Sequence, residues 1–412
     1  MSSLLGRTRG LPRNVYAIGF VSLLNDASSE IIYPLLPIFL SLSLGASPAI
    51  IGVIEGLSES TSSILKLFAG YLSDRFGQRK PLVVFGYGAA AVARTALALA
   101  TSWPLALAAR MADRIGKGIR GAPRDALIAD SSEVEQRGLA FGFHRAMDHS
   151  GAVIGPLLAF VLLYVFAASA DAPTTLELRH VFLVAAIPGF LSVVIAVAFV
   201  REAVRRPRTD GSAAQRPRVS LRGFSGNFLV FMGTLALFTL SNSSDAFLLL
   251  RATTAGVSTS TLPLLWAILH VSKVVTSIVG GDLSDRLGRK RLIIAGWLVY
   301  AAVYAGFAFA TTRWEVWSLF IVYGAYFGLA EGAEKALVAD LVREDQRGTA
   351  FGVYNLALGI TVFPASLLMG VLWTYGGPQL AFLSCAGLGL VASLLFGLFV
   401  RRPAEDANAI AA

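Results

Sequence analysis

Twelve stretches, most of about 20 or more largely apolar residues, run through this chain near 14–44, 47–73, 80–101, 103–130, 138–167, 180–200, 224–250, 258–284, 291–311, 313–341, 348–375 and 377–400. A helix of that length crosses a hydrocarbon core of about 30 Å. In lipid the backbone must satisfy its polar groups within the segment, so the spans are helices. Charged residues make up 15% of the 412 residues, against roughly a quarter in soluble domains. The 40 glycines suit helices that pack closely in a membrane. One cysteine, Cys385, excludes an internal disulfide and leaves no thiolate cluster for a metal. The basic N-terminus lacks a short apolar segment with a cleavage site, so no removable signal peptide is expected.

The net charge of +9 does not point to nucleic acid, because topology explains where the cations sit. One set of alternate loops holds Arg7, Arg9, Arg13, Arg75, Arg79, Lys80, Arg137, the arginines of 201–222, Arg286, Arg289, Lys290, Arg291, Arg343, Arg347, Arg401 and Arg402. The other set holds little beyond Arg179, Arg251 and Arg313. The positive-inside rule then puts both termini in the cytoplasm of an inner-membrane protein. Residues 201–222 are rich in Arg, Pro, Ser and Gly without apolar periodicity, and read as a linker. The expected organisation is a six-helix half over 1–200, a cytoplasmic linker over 201–222 and a second half over 223–412.

A charged, Gly-punctuated phrase occurs twice. Residues 70–80 read Gly-Tyr-Leu-Ser-Asp-Arg-Phe-Gly-Gln-Arg-Lys and residues 281–291 read Gly-Asp-Leu-Ser-Asp-Arg-Leu-Gly-Arg-Lys-Arg. The repeat extends further: Gln136-Arg137-Gly138 and Ala140-Phe141-Gly142 match Gln346-Arg347-Gly348 and Ala350-Phe351-Gly352, and Ala129-Asp130 matches Ala339-Asp340. Parallel repeats of this kind are a transporter architecture whose substrate site lies at the midplane between the halves. The expected fold is an all-α membrane protein, with twelve transmembrane helices in two pseudo-symmetric six-helix halves.

On these residues the whole chain resembles the major facilitator superfamily, whose loop signature joins helices 2 and 3 and recurs between helices 8 and 9. The resemblance implies a carrier that alternates access. Gly70, Asp74, Arg75 and Gly77, with Gly281, Asp285, Arg286 and Gly288, would be a conformational latch. An Asp at a helix end can accept hydrogen bonds from a neighbouring helix N-terminus, and Gly lets helices touch. Gly142, Gly151, Gly155-Pro156 and Ala159 resemble the fifth-helix motif of the family's proton-coupled exporters, with Ala159 where glycine is usual. Arg110, Asp113, Arg114, Gly116 and Lys117 partly resemble the fourth-helix motif, in which a buried Arg is tied to proton coupling. That family usually has neutral residues where this chain has Asp113, Arg114 and Lys117.

Ionisable residues inside a membrane are expensive and mark functional candidates. Asp26 and Glu30 lie one turn apart on the first span, as do Glu55 and Glu59 on the second. Paired carboxylates can take up and release a proton between them. The proton-coupling candidates are therefore Asp26, Glu30, Glu55, Glu59, Asp148 and His270. Glu59 and His270 occupy matching positions of the two halves. The substrate-binding candidates are Arg110, Arg114, Lys117, His144, His149, Lys273, Asp245 and Glu331. Away from their end residues, the first five spans hold seven acids and eight cations, Arg94 among them. Much of this set is therefore expected to pair internally.

The expected function is proton-antiport efflux of a small polar or charged compound. The expected partners are a small-molecule substrate, protons and the lipid bilayer, and the protein is expected to work as a monomer without cofactor or bound metal. One alternative is a carrier of organic anions or phosphorylated metabolites, with Arg114, Lys117 and Lys273 as clamp. Another is a divalent metal-ion exporter using Asp26, Glu30, His144 and His149. No nucleophile–base pair, phosphate-binding glycine loop or sizeable extramembrane domain points to an enzyme.

Overall fold

The computed structural model describes residues 10–76, 78–133, 136–169, 171–202, 223–343 and 346–401, apart from the side chains of residues 67, 70–72, 74–76, 278, 281, 282, 285 and 348. Among the described residues every regular element is helical. The first six long helices are α1 (Arg13–Ile32), α2 (Pro48–Phe76), α3 (Lys80–Ala98), α4 (Trp103–Ser131), α5 (Arg137–Phe166) and α6 (Thr175–Phe199). After the linker come α7 (Gly226–Ser241), α8 (Ala246–Thr254), α9 (Leu262–Leu287), α10 (Arg289–Phe309), α11 (Arg313–Asp340) and α12 (Arg347–Phe399). Six of these are long and apolar enough to cross a membrane by length and composition alone. The similarly long α2 and α4 instead carry charges such as Glu55, Glu59, Arg110 and Asp113.

Helix irregularities follow the local sequence. Past Ile32 the first span continues as a 3₁₀ turn (Tyr33–Leu35), a short helical turn (Leu36–Ile38) and a π turn (Phe39–Ser43). Pro34 and Pro37 lie in this stretch, and each lacks the N–H that a regular helix needs. The seventh span is broken: residues 242–245 separate α7 from α8. Within α12, Gly377 has φ 80°, a left-handed conformation that separates the eleventh span from the twelfth. The sixth span starts at Thr175, five residues before the apolar run does. Thr174 and Glu177 form a capping box there, so polar residues begin the helix.

The chain divides into two compact units. The first holds the residues up to Leu44 and resumes at Thr61; the second holds Gly45–Ser60 and everything after the linker. In the first unit α1 packs on α5 and α6, and α3 packs on α4 and α6. Val15, Ile18 and Val21 of α1 meet Val83 and Tyr87 of α3, Leu127 and Ile128 of α4, Ala196 of α6 and Val200 just past its end in one buried cluster. In the second unit α9 and α10 pack on α11, and α7 and α10 pack on α12. Residues 45–60 belong to this unit because they lie against α12: a Cβ on Gly56 would stand 3.0 Å from the Phe363 backbone.

Two devices tie helix ends together in both units. Asn14 donates to the Arg201 carbonyl and accepts from its N–H, at 3.1 and 3.0 Å. Asn227 does the same with Arg401, at 3.0 and 2.8 Å. Arg79 pairs with Asp130, and Arg289, 210 positions on, pairs with Asp340.

α1 and α5 approach most closely at Gly151 and Gly155. A Cβ on Gly155 would stand 2.6 Å from the Ala27 carbonyl oxygen and 2.7 Å from the Glu30 Cβ. Gly155→Val should therefore push α1 away and cost about 1–3 kcal/mol, measured as a lower melting temperature in detergent. Gly142→Ala, at a glycine with open space around it, should leave the melting temperature unchanged.

Candidate functional site

Arg94, on α3, is 4% exposed. Burial of a guanidinium is tolerated only when it is met on several sides. Its Nη2 lies 3.2 Å from Asp113 of α4 and donates to the Asn25 side-chain oxygen at 3.0 Å. Its Nη1 donates to the Asn25 carbonyl at 3.1 Å. Asn25 passes the contact on, donating to Asp26 at 2.9 Å. Asp113 also faces Arg114, at 3.8 Å. A cavity of about 10 Å³ adjoins this network, lined by Arg94, Arg110, Asp113 and Ser29. That is the room one water needs.

One turn back along α1, Ser22 bonds Tyr87 at 3.1 Å and His144 at 2.9 Å. His144 lies 3.5 Å from Asp148 on the same helix. Asp148 also feels the charges of Asp26 and Arg124. The packing explains why these acids meet. A Cβ on Gly151 would stand 3.0 Å from the Asp26 Cβ, as one on Gly155 would crowd Glu30. The glycines of the fifth-span motif thus seat the stretch of α1 that carries the Asp26/Glu30 pair. Gly142, the first glycine of that motif, has open space around it.

The second unit builds its polar site around the break at 242–245. Freed backbone groups at such breaks are where membrane carriers gather polar side chains. Asn242 donates to the Tyr326 hydroxyl at 3.0 Å, and Tyr323 donates to Asp245 at 2.8 Å. Lys273 of α9 lies 3.4 Å from Asp245. Its ammonium sits 3.7 Å from the Phe327 ring centre and 5.6 Å from that of Trp266, the geometry of a cation held on aromatic faces. Ser244 donates to Glu55, which is 1% exposed, at 3.4 Å. Deeper in α11, Glu334 accepts from Trp297 at 2.8 Å and from Tyr354 at 3.2 Å.

Of the residues singled out in the sequence, Asp26, His144 and Asp148 come together at the α1–α5 contact, and Glu30 lies against Gly155 of the same contact. Glu55, Asp245 and Lys273 come together at the α7–α8 break. Arg110 and Arg114 are buried on α4, and Lys117 is half-buried beside them. Glu59 and His270 are half-buried on their own helices. His149 is exposed, and Glu331 pairs at an exposed position with Lys335 at 2.6 Å. Of the latch residues, Gly70, Asp74, Arg75, Gly77, Gly281 and Asp285 lie outside the described residues and side chains. Arg286 is exposed, and Gly288, with φ 85°, joins α9 to α10. Among the described residues no three His, Cys, Asp or Glu side chains converge as a metal site.

Sequence reasoning did not single out Arg94, Asn25, the Arg79–Asp130 and Arg289–Asp340 pairs, or the tyrosines of the second unit. The repeat contained a signal for the ion pairs, since both partners recur at an offset of 210.

The family model for the Major Facilitator Superfamily matches residues 18–333 and 229–412. The chain belongs to that superfamily. It is 36% identical over 398 residues to an uncharacterised MFS-type transporter of Methanocaldococcus jannaschii, covering 95% of this chain and 96% of the relative. It is 24% identical over 370 residues to the multidrug resistance protein MdtG of Proteus mirabilis, covering 86% and 88% of the two chains. A solved bacterial homologue of the human lysosomal transporter Spinster matches the fold with a TM-score of 0.78 at 15% identity, over 93% of this chain and 95% of that one. The protein is accordingly a multi-pass membrane carrier and not an enzyme, with the twelve transmembrane helices in two halves that the repeat led us to expect.

The Arg94 network makes a sharp stability prediction. Arg94→Met alone removes the nearest charge partner of the buried Asp113 and should cost about 3–5 kcal/mol, read as a fall in melting temperature. Adding Asp113→Leu should recover part of that loss, because the pair is then replaced by apolar groups.

Proposed function

We propose that the protein is a proton-driven antiporter that exports a small polar or charged compound across the cytoplasmic membrane, with both termini on the cytoplasmic side. The carrying observation is the α1–α5 contact. Two glycines bring the Asp26/Glu30 pair against α5, where Asp148 and His144 supply two further titratable groups. Carboxylates gathered in this way can share and hand on a proton, and the adjoining Arg94–Asn25 contact holds Asp26 in place. Multidrug resistance proteins among the relatives support export. The arginine-rich loops support the orientation.

The break at 242–245 supplies the cargo contacts in this reading: Asp245, Lys273, Asn242 and the tyrosines offer charge, hydrogen bonds and aromatic faces together. The anion-clamp alternative has less support, since Arg114 and Lys273 each already face a carboxylate. In the same reading, the Arg79–Asp130 and Arg289–Asp340 pairs, with Asp74 and Asp285, hold the helix ends that must move when access alternates.

Asp26→Asn keeps the oxygen that accepts from Asn25 but removes the titration. In proteoliposomes this variant should lose pH-driven flux while keeping its melting temperature and its ligand-induced thermal shift. Normal flux under a proton gradient would reject the coupling assignment. Lys273→Met should weaken cargo binding by roughly ten- to a hundredfold, the loss of one charge-assisted contact of about 1.5–3 kcal/mol, measured by thermal-shift titration.

A further inference from the structure

One groove of the first unit takes no part in these networks. It lies where the start of α1 meets the end of α6, with a volume of about 610 Å³. Tyr16, Phe20, Ile195 and Phe199 line its wall, and Arg13 and Arg201 stand at its rim. Phe20 and Phe199 are 50% and 66% exposed. On a membrane-spanning helix an exposed aromatic face meets lipid, so hydrocarbon suits the wall. Both arginines are exposed as well, and Glu202, next to Arg201, bonds the backbone of Arg79 and Lys80 at the same end of the unit.

We propose that this groove binds an anionic phospholipid, with an acyl chain along the aromatic wall and the phosphate-bearing headgroup between Arg13 and Arg201. Basic pockets between transmembrane helices recognise such headgroups by charge, and a guanidinium matches phosphate geometry with two parallel N–H donors. The neighbouring carboxylate is hydrogen-bonded away from the rim arginines. Glu202 is engaged elsewhere, accepting from the backbone N–H groups of Arg79 at 3.0 Å and Lys80 at 2.8 Å. The rim is also held in shape. Asn14 clasps the Arg201 main chain through both its N–H and its carbonyl, so the Arg201 side chain is not what joins α1 to α6. The matching clasp of the other unit, Asn227 with Arg401, lacks this chemistry around it. Gly226, Leu229 and Gly233 stand where the first unit has Arg13, Tyr16 and Phe20.

The test is a thermal-shift series on the full-length protein in neutral detergent. Added phosphatidylglycerol should raise the melting temperature by a few degrees, and phosphatidylcholine at the same concentration should do so far less. The Arg13→Gln/Arg201→Gln variant should keep the lipid-free melting temperature and lose most of the phosphatidylglycerol shift. A charge-matched control, Arg291→Gln/Arg401→Gln, should keep that shift. Phe20→Ala, which shortens the wall and leaves the rim, should lower the shift at subsaturating lipid. Equal shifts from the two lipids would overturn the proposal, as would a full shift in the Arg13/Arg201 variant. A comparable shift from inorganic phosphate alone would also overturn it, by assigning the rim to a free anion. If the double variant proves unstable without lipid, native mass spectrometry of phosphatidylglycerol retained by Phe20→Ala and the parent protein decides. Equal retention overturns the proposal, and reduced retention supports it.

Discussion

A guanidinium placed among apolar helices must be met by polar groups that the protein positions, because lipid cannot do it. Arg94 sets that condition for the first unit. Its partners come from two other helices, Asn25 on α1 and Asp113 on α4, so one buried cation fixes the relative position of three spans. Asp113 in turn faces Arg114, and Asn25 orients Asp26. The acids proposed to carry the proton are thus positioned through Asn25 by a cation on a third helix. The geometry of α1 also depends on what α5 lacks: side chains at 151 and 155 would keep Asp26 and Glu30 from their seat.

The two units solve the same packing problem with different chemistry inside. Gly86 lies against Arg120 in the first unit, and Gly296, 210 positions on, lies against Ala330 in the second. At the same offset, Arg94 and Asp113 correspond to Tyr304 and Tyr323, and Arg124 corresponds to Glu334. An ion-pair network in one half therefore occupies the places of an aromatic cluster in the other. Tyr300 and Tyr304 have ring centres 4.2 Å apart, and Tyr323 stacks on Tyr326 at 5.8 Å. Aromatic rings with a hydroxyl need fewer partners than charges do, and Lys273 and Asp245, with Glu55 alongside, bring the charge to the break.

Much of the fold could be read in the sequence because hydrocarbon thickness imposes one length on every span. The starts of α3, α4 and α11 agree with the apolar runs to the residue. The start of α6 did not, since Thr175, Glu177 and Arg179 open the helix ahead of the apolar run. The break at 242–245 was equally hidden, because Ser and Asn are compatible with a helix inside a membrane and only the tertiary partners decide. The site was half legible. Asp26, Glu30, Asp148, Asp245 and Lys273 stood out as charges in apolar runs. Arg94 is a charge in an apolar run as well, but it entered only as one cation among eight. Periodicity shows which face of a helix a residue occupies and is silent about which helix lies alongside it. The tyrosines were invisible for another reason: in an apolar run they read as ordinary packing.

What recurs and what differs between the units suggests a division of labour. The pairs at the helix ends, Arg79–Asp130 with Arg289–Asp340 and Asn14–Arg201 with Asn227–Arg401, are duplicated with the same residue types. Both halves face the same physics there, where a helix must end and the chain must turn next to water. The interiors face different demands under the proposed antiport. A group that carries a proton must sit among partners that hold its position in either protonation state, which the first unit provides with Asn25, Ser22 and the arginines. A group that holds cargo needs surfaces that accept many orientations, and aromatic faces around a broken helix offer them. A duplicated chain whose ends stay alike while its interiors diverge can give one half to the driving ion and the other to the cargo.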